Sequence, residues 1–456
     1  MYQYQRTVRF PKLPWLLLLL SAPYLGGILY FLAGHDLAFR DEEAACQKAE
    51  SVLDELFPQD DTRPVLEELQ QRDPLRAGQF AFLERKGFPL CTHTETKFYP
   101  LADDLFPDLL AALEQAERYI FLEYFIITPG AMWAQILAIL ERKAAQGVTV
   151  KVLYDDVATM TNLPKDYPRQ LRAKGIECIA VNPFIPVCTA MLNNRDHRKI
   201  ASIDGRVAFT GGFNLADEYI NQIHPYGHWK DNGIRVSGDA AWQLTRFFLT
   251  TWVSNGGSFA DADHLKPTEM PLSDGQNYIQ PYAHTPLHGR RILGEVYCNI
   301  LNQASRYVYL YTPYLIPDAE VMTALCLAAD RGVTVKLIVP GIPDKKIIYQ
   351  LTKAHYDRLL EHGVEIYEYA PGFVHAKSMV CDDQIVSIGT GNLDCRSLYH
   401  SFEDGCLCYD EALAAALRTD FEQTLTQCQQ AQKQSRSKNI FVSVYYAVLR
   451  VLSPLL

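Results

Sequence analysis

The chain repeats itself, and the repeat limits its architecture more than any other feature. Residues His197-Arg198-Lys199-Ile200-Ala201-Ser202-Ile203-Asp204 return as His375-Ala376-Lys377-Ser378-Met379-Val380-Cys381-Asp382, an H-x-K-x4-D pattern displaced by 178 positions. Six residues after each aspartate comes a small-residue turn ending in asparagine, Gly211-Gly212-Phe213-Asn214 and Gly389-Thr390-Gly391-Asn392. The likeness extends upstream in the same order. Ala116-Glu117-Arg118-Tyr119-Ile120-Phe121-Leu122-Glu123-Tyr124-Phe125 matches Ala304-Ser305-Arg306-Tyr307-Val308-Tyr309-Leu310-Tyr311-Thr312-Pro313, Gly147 to Leu153 matches Gly332 to Ile338, and Gly175-Ile176-Glu177 matches Gly363-Val364-Glu365. A duplication of this extent means two units of one fold.

Within each unit, helical stretches such as Trp133 to Ala145 alternate with β-branched and aromatic strands such as Gly147-Val148-Thr149-Val150-Lys151-Val152-Leu153. That alternation predicts an α/β unit with helices covering both faces of a sheet. The first unit runs over 96–256 and the second over 287–430, joined by a connector, 257–286, rich in Gly, Asp, Pro and Ser. A pseudo-twofold relation between equal units brings corresponding strand ends, and with them residues distant in sequence, to one cleft.

Side chains alternate along a strand, so a strand through the motif presents His197 and Lys199 together on one face. Imidazole attacks phosphorus or carries a proton near neutral pH, and ammonium neutralises a phosphate oxygen, so the pair suits phosphoryl transfer. A lone H-x-K is more often a surface or strand-end histidine. Recurrence of the whole pattern, turn included, reverses that judgement.

Net charge is −10, which argues against a duplex nucleic-acid partner, because phosphate binding leans on basic surface. The 11 cysteines are scattered without a CxxC pair, read as reduced core residues and offer no zinc-ligand spacing. Leu13 to Gly34 carries no charge for 22 residues, enough to span a bilayer core as a helix. Trp15 and Tyr30 stand near its ends, and residues 1–35 are therefore expected to be a membrane anchor in the cell membrane; a cleaved signal peptide is the alternative. Basic residues before this stretch and acidic ones after it favour an inside amino terminus, whereas the cysteines favour a reducing compartment for the rest, so sidedness stays open. Residues 36–95 read as a charged helical support segment, and 431–456 as an apolar closing helix, packed on the core or lying on the bilayer.

These motifs resemble the phospholipase D superfamily. Within it, the apolar amino-terminal stretch, Leu122-Glu123-Tyr124-Phe125, His228-Trp229-Lys230-Asp231, Thr312-Pro313-Tyr314, Asp394-Cys395-Arg396-Ser397 and Leu452-Ser453-Pro454-Leu455-Leu456 look like the bacterial cardiolipin synthase family. The resemblance implies an α/β fold of two pseudo-twofold-related sandwich units sharing one active site, with an amino-terminal membrane helix. It implies a cofactor-free, metal-free transfer in which phosphatidylglycerol gives its phosphatidyl group to a histidine, glycerol leaves, and a second phosphatidylglycerol accepts the group. Its partners are then phosphatidylglycerol and the lipid bilayer, with no nucleic acid.

By the same resemblance, the motif residues His197, Lys199, Asp204, His375, Lys377 and Asp382 form the catalytic set. The histidines serve as nucleophile and general acid/base, His197 being favoured as nucleophile by analogy, and the lysines clamp phosphate. Asn214 and Asn392 assist at the phosphate, and a carboxylate downstream of each motif, Asp231 and Glu403, orients its histidine. The two motif aspartates sit past the strand, where turn aspartates pair or cap, and read as structural more than chemical. Ser401 stands where relatives often carry Asn, and Thr128-Pro129-Gly130 where they often carry acidic residues. Rival readings are a phospholipase D-type hydrolase or a transferase using another alcohol, a nuclease of the superfamily, and a catalytically silent membrane scaffold; the intact motif set counts against the last.

Overall fold

The computed structural model describes residues 12–27, 37–183, 194–259, 262–267, 277–287 and 291–433. Among the described residues, nine strands belong to the first unit: β1 (Thr94–Tyr99), β2 (Tyr119–Tyr124), β3 (Thr149–Asp155), β4 (Glu177–Val181), β5 (Arg195–Asp196), β6 (Lys199–Ile203), β7 (Val207–Gly211), β8 (His228–Lys230) and β9 (Gly233–Gly238). Eleven belong to the second: β10 (Tyr278–His284), β11 (Tyr307–Tyr311), β12 (Leu315–Ile316), β13 (Thr334–Pro340), β14 (Glu365–Tyr369), β15 (Gly372–Val374), β16 (Ser378–Cys381), β17 (Ile385–Gly389), β18 (Leu393–Asp394), β19 (Ser401–Tyr409) and β20 (Cys428–Gln430).

The main sheets follow one plan. The first has the order β1-β9-β7-β6-β2-β3-β4 and the second β10-β19-β17-β16-β11-β13-β14-β20, so that seven strands correspond position by position. In each, three neighbours run parallel, β2-β3-β4 and β11-β13-β14, and the rest of the path is antiparallel. Parallel strands need crossover helices, and those helices bury both faces. Accordingly β2 is buried at every position, and the crossover helix Ala131–Ala145 turns Met132, Trp133, Ile136, Ile139 and Leu140 to the sheet at three- and four-residue spacing.

The opposite faces meet each other. One apolar cluster draws Ile200, Ala208, Ile234 and Val236 from the first sheet and Val380, Val386, Ile388 and Cys406 from the second. Each such aliphatic side chain contributes about 1.5–3 kcal/mol through burial. The two units therefore share a core.

Two short strand exchanges seal the seam. β5 of the first unit pairs in parallel with the start of β19, and β8 pairs in parallel with β15 of the second. The 178-residue offset carries Arg195–Asp196 onto Phe373–Val374, so the exchanges are pseudo-twofold mates.

The support segment touches both units. Its helix Leu37–Leu56 packs along the helix Asp239–Ser254, and Phe57 meets the Trp242 ring edge-on at 5.2 Å. Leu69, Phe80 and Leu83 of the helices Arg63–Arg72 and Pro74–Glu84 enter the second unit's own core. Of the expected anchor, Lys12–Ser21 is helical, while residues 28–36 lie outside the described residues, as do 434–456 of the expected closing helix. Among the described residues, no helix is long and apolar enough to cross a membrane.

Candidate active site

The expectation that a single strand carries both His197 and Lys199 is corrected. β5 ends at Asp196 and β6 begins at Lys199, leaving His197 in the step between a segment paired to the other unit and a segment paired to its own sheet. His375 occupies the same step between β15 and β16. Each imidazole is thus set on the seam.

The exchange also decides which carboxylate each histidine meets. The His197 amide donates to the Phe402 carbonyl at 2.9 Å and the His375 amide to the Lys230 carbonyl at 2.8 Å, the residues just before Glu403 and Asp231. The side chains follow: His197 Nδ1 lies 2.8 Å from Glu403 Oε2, and His375 Nδ1 lies 2.7 Å from Asp231 Oδ2. The expected pairing within each half is therefore wrong, and the carboxylates cross the seam. When ionised, these carboxylates accept Nδ1–H, and each Nε2 then keeps its lone pair.

Both carboxylates are fixed in turn. Glu403 Oε2 also accepts from Thr390 Oγ1 at 2.6 Å, and Asp231 Oδ1 accepts from the Asn232 amide at 2.9 Å. The glycine turn permits this approach, since a β-carbon on Gly212 would collide with the Asp231 carboxylate. Burial pushes Glu403 up to about 8 and Asp231 up to about 6, and it holds both histidines well below the usual imidazole range, with the neighbouring lysines adding to the fall. Both rings rest neutral.

His197, His375, Asn214 and Asn392 line one cleft of about 370 Å³. Lys199 and Lys377 are buried one layer below. Lys199 Nζ donates to the His197 carbonyl at 2.6 Å, and Lys377 Nζ donates to the His375 carbonyl and lies 2.7 Å from His375 Nδ1. Burial lowers Lys199 to about 8 and Lys377 to about 7. Asn214 is committed, accepting from the Ile126 amide at 3.1 Å and donating to Tyr219 Oη at 2.6 Å, whereas the buried Asn392 Oδ1 has no hydrogen-bond partner among the described residues.

The aromatic surround is unequal. Phe125 stands 4.9 Å from His197, while Tyr219, Trp229 and Phe373 stand 5.3, 5.6 and 5.9 Å from His375. These rings exclude water and strengthen electrostatic interactions around His375.

The motif aspartates are at the other end of their strands and do not line the cleft. Asp204, at φ 54°, accepts from the amides of Glu117, Arg118 and Tyr119 at 2.8 Å each. Asp382, also at φ 54°, accepts from Ser305, Arg306 and Tyr307 amides at 2.8, 2.8 and 2.9 Å and pairs with Arg76 at 2.7 Å. They pin the entry of β2 and β11, a structural duty.

Sequence reasoning gave no role to Thr390, Arg396 or Lys345. Thr390 sat in a turn read only for its asparagine, and Arg396 in a signature quoted without a function. Lys345 belongs to a loop outside every repeated motif and gave no signal; both it and Arg396 line the cleft.

The sequence pattern of the family described as cardiolipin synthase, PLD-like domain matches residues 109–248 and 297–425, and that of phospholipase D-nuclease N-terminal matches 3–35. A cardiolipin synthase of Geobacillus kaustophilus is 33% identical over 446 residues, covering 97% of this chain and 88% of its own. A Streptococcus mutans protein described as uncharacterized is 39% identical over 444 residues, covering 97% and 96%. In three dimensions, the phosphatidylserine synthase of Haemophilus influenzae shares the fold with a TM-score of 0.62 at 14% identity, covering 79% of this chain and 95% of that one.

Proposed function

The chain belongs to the PLD-like cardiolipin synthase family, and from that premise we propose that it is a phosphatidyltransferase that joins two phosphatidylglycerol molecules into cardiolipin and glycerol. The observation that carries the reading is the pair of histidines, each held at Nδ1 by a carboxylate from the opposite unit, on one cleft.

The donor's phosphodiester lies between the imidazoles, with Lys199 and Lys377 supplying positive charge beneath it. Neutral His197 attacks phosphorus through Nε2. Entry of the anionic phosphate raises the proton affinity of His375, which takes up a solvent proton at Nε2; the bond from phosphorus to the glycerol oxygen breaks, and that oxygen takes this proton from His375. Glycerol leaves and the phosphatidyl group stays on His197 through a P–N bond. The terminal hydroxyl of a second phosphatidylglycerol then gives its proton to His375 and attacks phosphorus, the P–N bond breaks, and His197 is restored. Asn392 assists at the phosphate. Residues 1–35 are assigned the anchoring role, which keeps the cleft at the lipid surface.

The test is incubation of membranes containing the chain with labelled phosphatidylglycerol and no added metal. Cardiolipin with an equal amount of glycerol is expected. Phosphatidic acid as the sole lipid product would make the chain a hydrolase. His197→Asn is expected to abolish product while expression and membrane association persist.

A further inference from the structure

Across the cleft the pseudo-twofold relation holds for the histidines and fails for charge. The 178-residue offset that carries His197 onto His375 and Asn214 onto Asn392 carries Glu218 onto Arg396. Both Glu218 and Arg396 line the cleft, so one position presents an anion in the first unit and a cation in the second. Lys345 of the second unit also lines the cleft, as do the acids Asp344 and Asp394 beside the two cations and Arg195 of the first unit.

Among the described residues, neither cation is engaged in a tight ion pair. Asp394, the acid nearest Arg396 in sequence, caps the helix Cys395–Tyr399 by accepting from the Ser397 amide at 2.8 Å. Lys345 Nζ is 3.8 Å from Asp344, whose Oδ2 already accepts from Tyr314 Oη at 2.6 Å. Arg396 and the Lys345 ammonium are exposed to the cleft mouth, and Lys345 sits 5.4 Å from the Tyr314 ring centroid, which fixes its stem. Their field reaches inward: burial first, then positive charges that include Lys345 and Arg396, keep His197 neutral.

A transfer between two phosphatidylglycerols brings two phosphodiesters into one cleft. The reacting one lies between the imidazoles above Lys199 and Lys377. The acceptor's own phosphodiester is one glycerol length away and must be held without repelling the first. Resting on the reaction assigned above, we propose that Arg396 and Lys345 form the subsite for the acceptor lipid's unreacted phosphodiester, so that the acceptor enters over the second unit. Guanidinium and ammonium are the natural ligands for such an anion, and Glu218 repels it from the mirror position. The subsite selects an anionic lipid alcohol over a small neutral one.

The experiment uses the full-length chain with phosphatidylglycerol in mixed micelles containing labelled free glycerol. Cardiolipin formation and label entering phosphatidylglycerol are read in one incubation, because glycerol exchange uses the same histidines with a phosphate-free acceptor. Arg396→Gln and Lys345→Gln are each expected to lower the ratio of cardiolipin to glycerol exchange by about five- to tenfold, the scale of one partly exposed charge-assisted contact. Arg396→Lys is expected to restore most of it. An unchanged ratio, or an equal loss of both reactions, overturns the subsite. Wild-type chain that exchanges glycerol yet makes no cardiolipin overturns the acceptor assignment and this subsite together, leaving the histidine chemistry standing.

Discussion

Glu403 belongs to the second unit yet governs the histidine of the first, and Asp231 does the converse, so substitutions at the two carboxylates should separate the nucleophile's role from the proton carrier's. Glu403→Gln replaces the anionic acceptor of His197 Nδ1–H by a neutral amide whose NH2 can donate to Nδ1, which favours the wrong tautomer for attack. Asp231→Asn leaves the nucleophile intact and impairs proton delivery by His375. Each is expected to cut turnover by about 10²–10⁴-fold, the range for loss of an orienting carboxylate. In rapid quench with labelled phosphatidylglycerol, Asp231→Asn should form an acid-labile adduct on His197 slowly, because His375 moves a proton in both half-reactions, and Glu403→Gln should form none; an adduct on His375 in either variant would reverse the roles. The buried lysines add a pH limit. Burial brings Lys377 to about 7 and Lys199 to about 8, where an ordinary lysine titrates near 10.4. A lowered value means that the charge is lost as pH rises through 7 to 8, so kcat/KM should decline on that alkaline side by about tenfold per unit for one essential proton. A flat profile from about pH 6 to 9.5 would remove the lysine charge from the rate-limiting step.

At the scale of strands and helices, the motif aspartates act on stability. Asp382 joins the β11 entry, through three backbone amides, to Arg76 of the helix Pro74–Glu84 in a buried pair of 2.7 Å. Asp204 makes the three amide bonds without a buried side-chain cation. Truncating Asp382 to Ala strands Arg76 and is expected to cost about 3–5 kcal/mol, against about 1–3 kcal/mol for Asp204→Ala, where only hydrogen bonds are lost. Denaturant unfolding of the two variants checks the order, and equal losses would show that the Arg76 contact adds nothing. These elements also mark what the sequence made legible. β2, β3, β11 and β13 announced themselves through β-branched and aromatic runs that only a sheet covered on both faces explains, and duplication doubled the signal. The crosswise pairing had none: it depends on β5 and β8, strands of two and three residues with no pattern of their own, whose partners are about 140 to 210 positions away. Residues inside the repeated motifs were therefore found, and so were Asp231 and Glu403, each given to the histidine of its own half; their crosswise pairing, and Lys345 on an unrepeated loop, were not.

For the molecule as a whole, the shared core and the crossed carboxylates make the duplication obligatory. A chain of two self-sufficient units would keep each histidine with its own carboxylate and would bury its own inner sheet face. Here neither holds, because the inner faces meet in one cluster and each half lends its carboxylate to the other. Cutting the chain in the connector, near residue 270, yields an amino-terminal half with His197, Lys199 and Asp231 and a carboxyl-terminal half with His375, Lys377 and Glu403. Expressed singly, each half carries a histidine whose orienting carboxylate is on the missing piece, and it exposes the sheet face that the other covers; neither should transfer phosphatidyl groups above background. Expressed together, the halves should recover cardiolipin formation, since β5 with β19 and β8 with β15 can pair between separate chains as they do within one. Pairing an Asp231→Asn amino-terminal half with the wild-type carboxyl-terminal half should then form the adduct on His197 at the same slow rate expected of the intact variant. A single half with full activity would refute the crosswise site, because it would contain everything the reaction needs on one side of the seam.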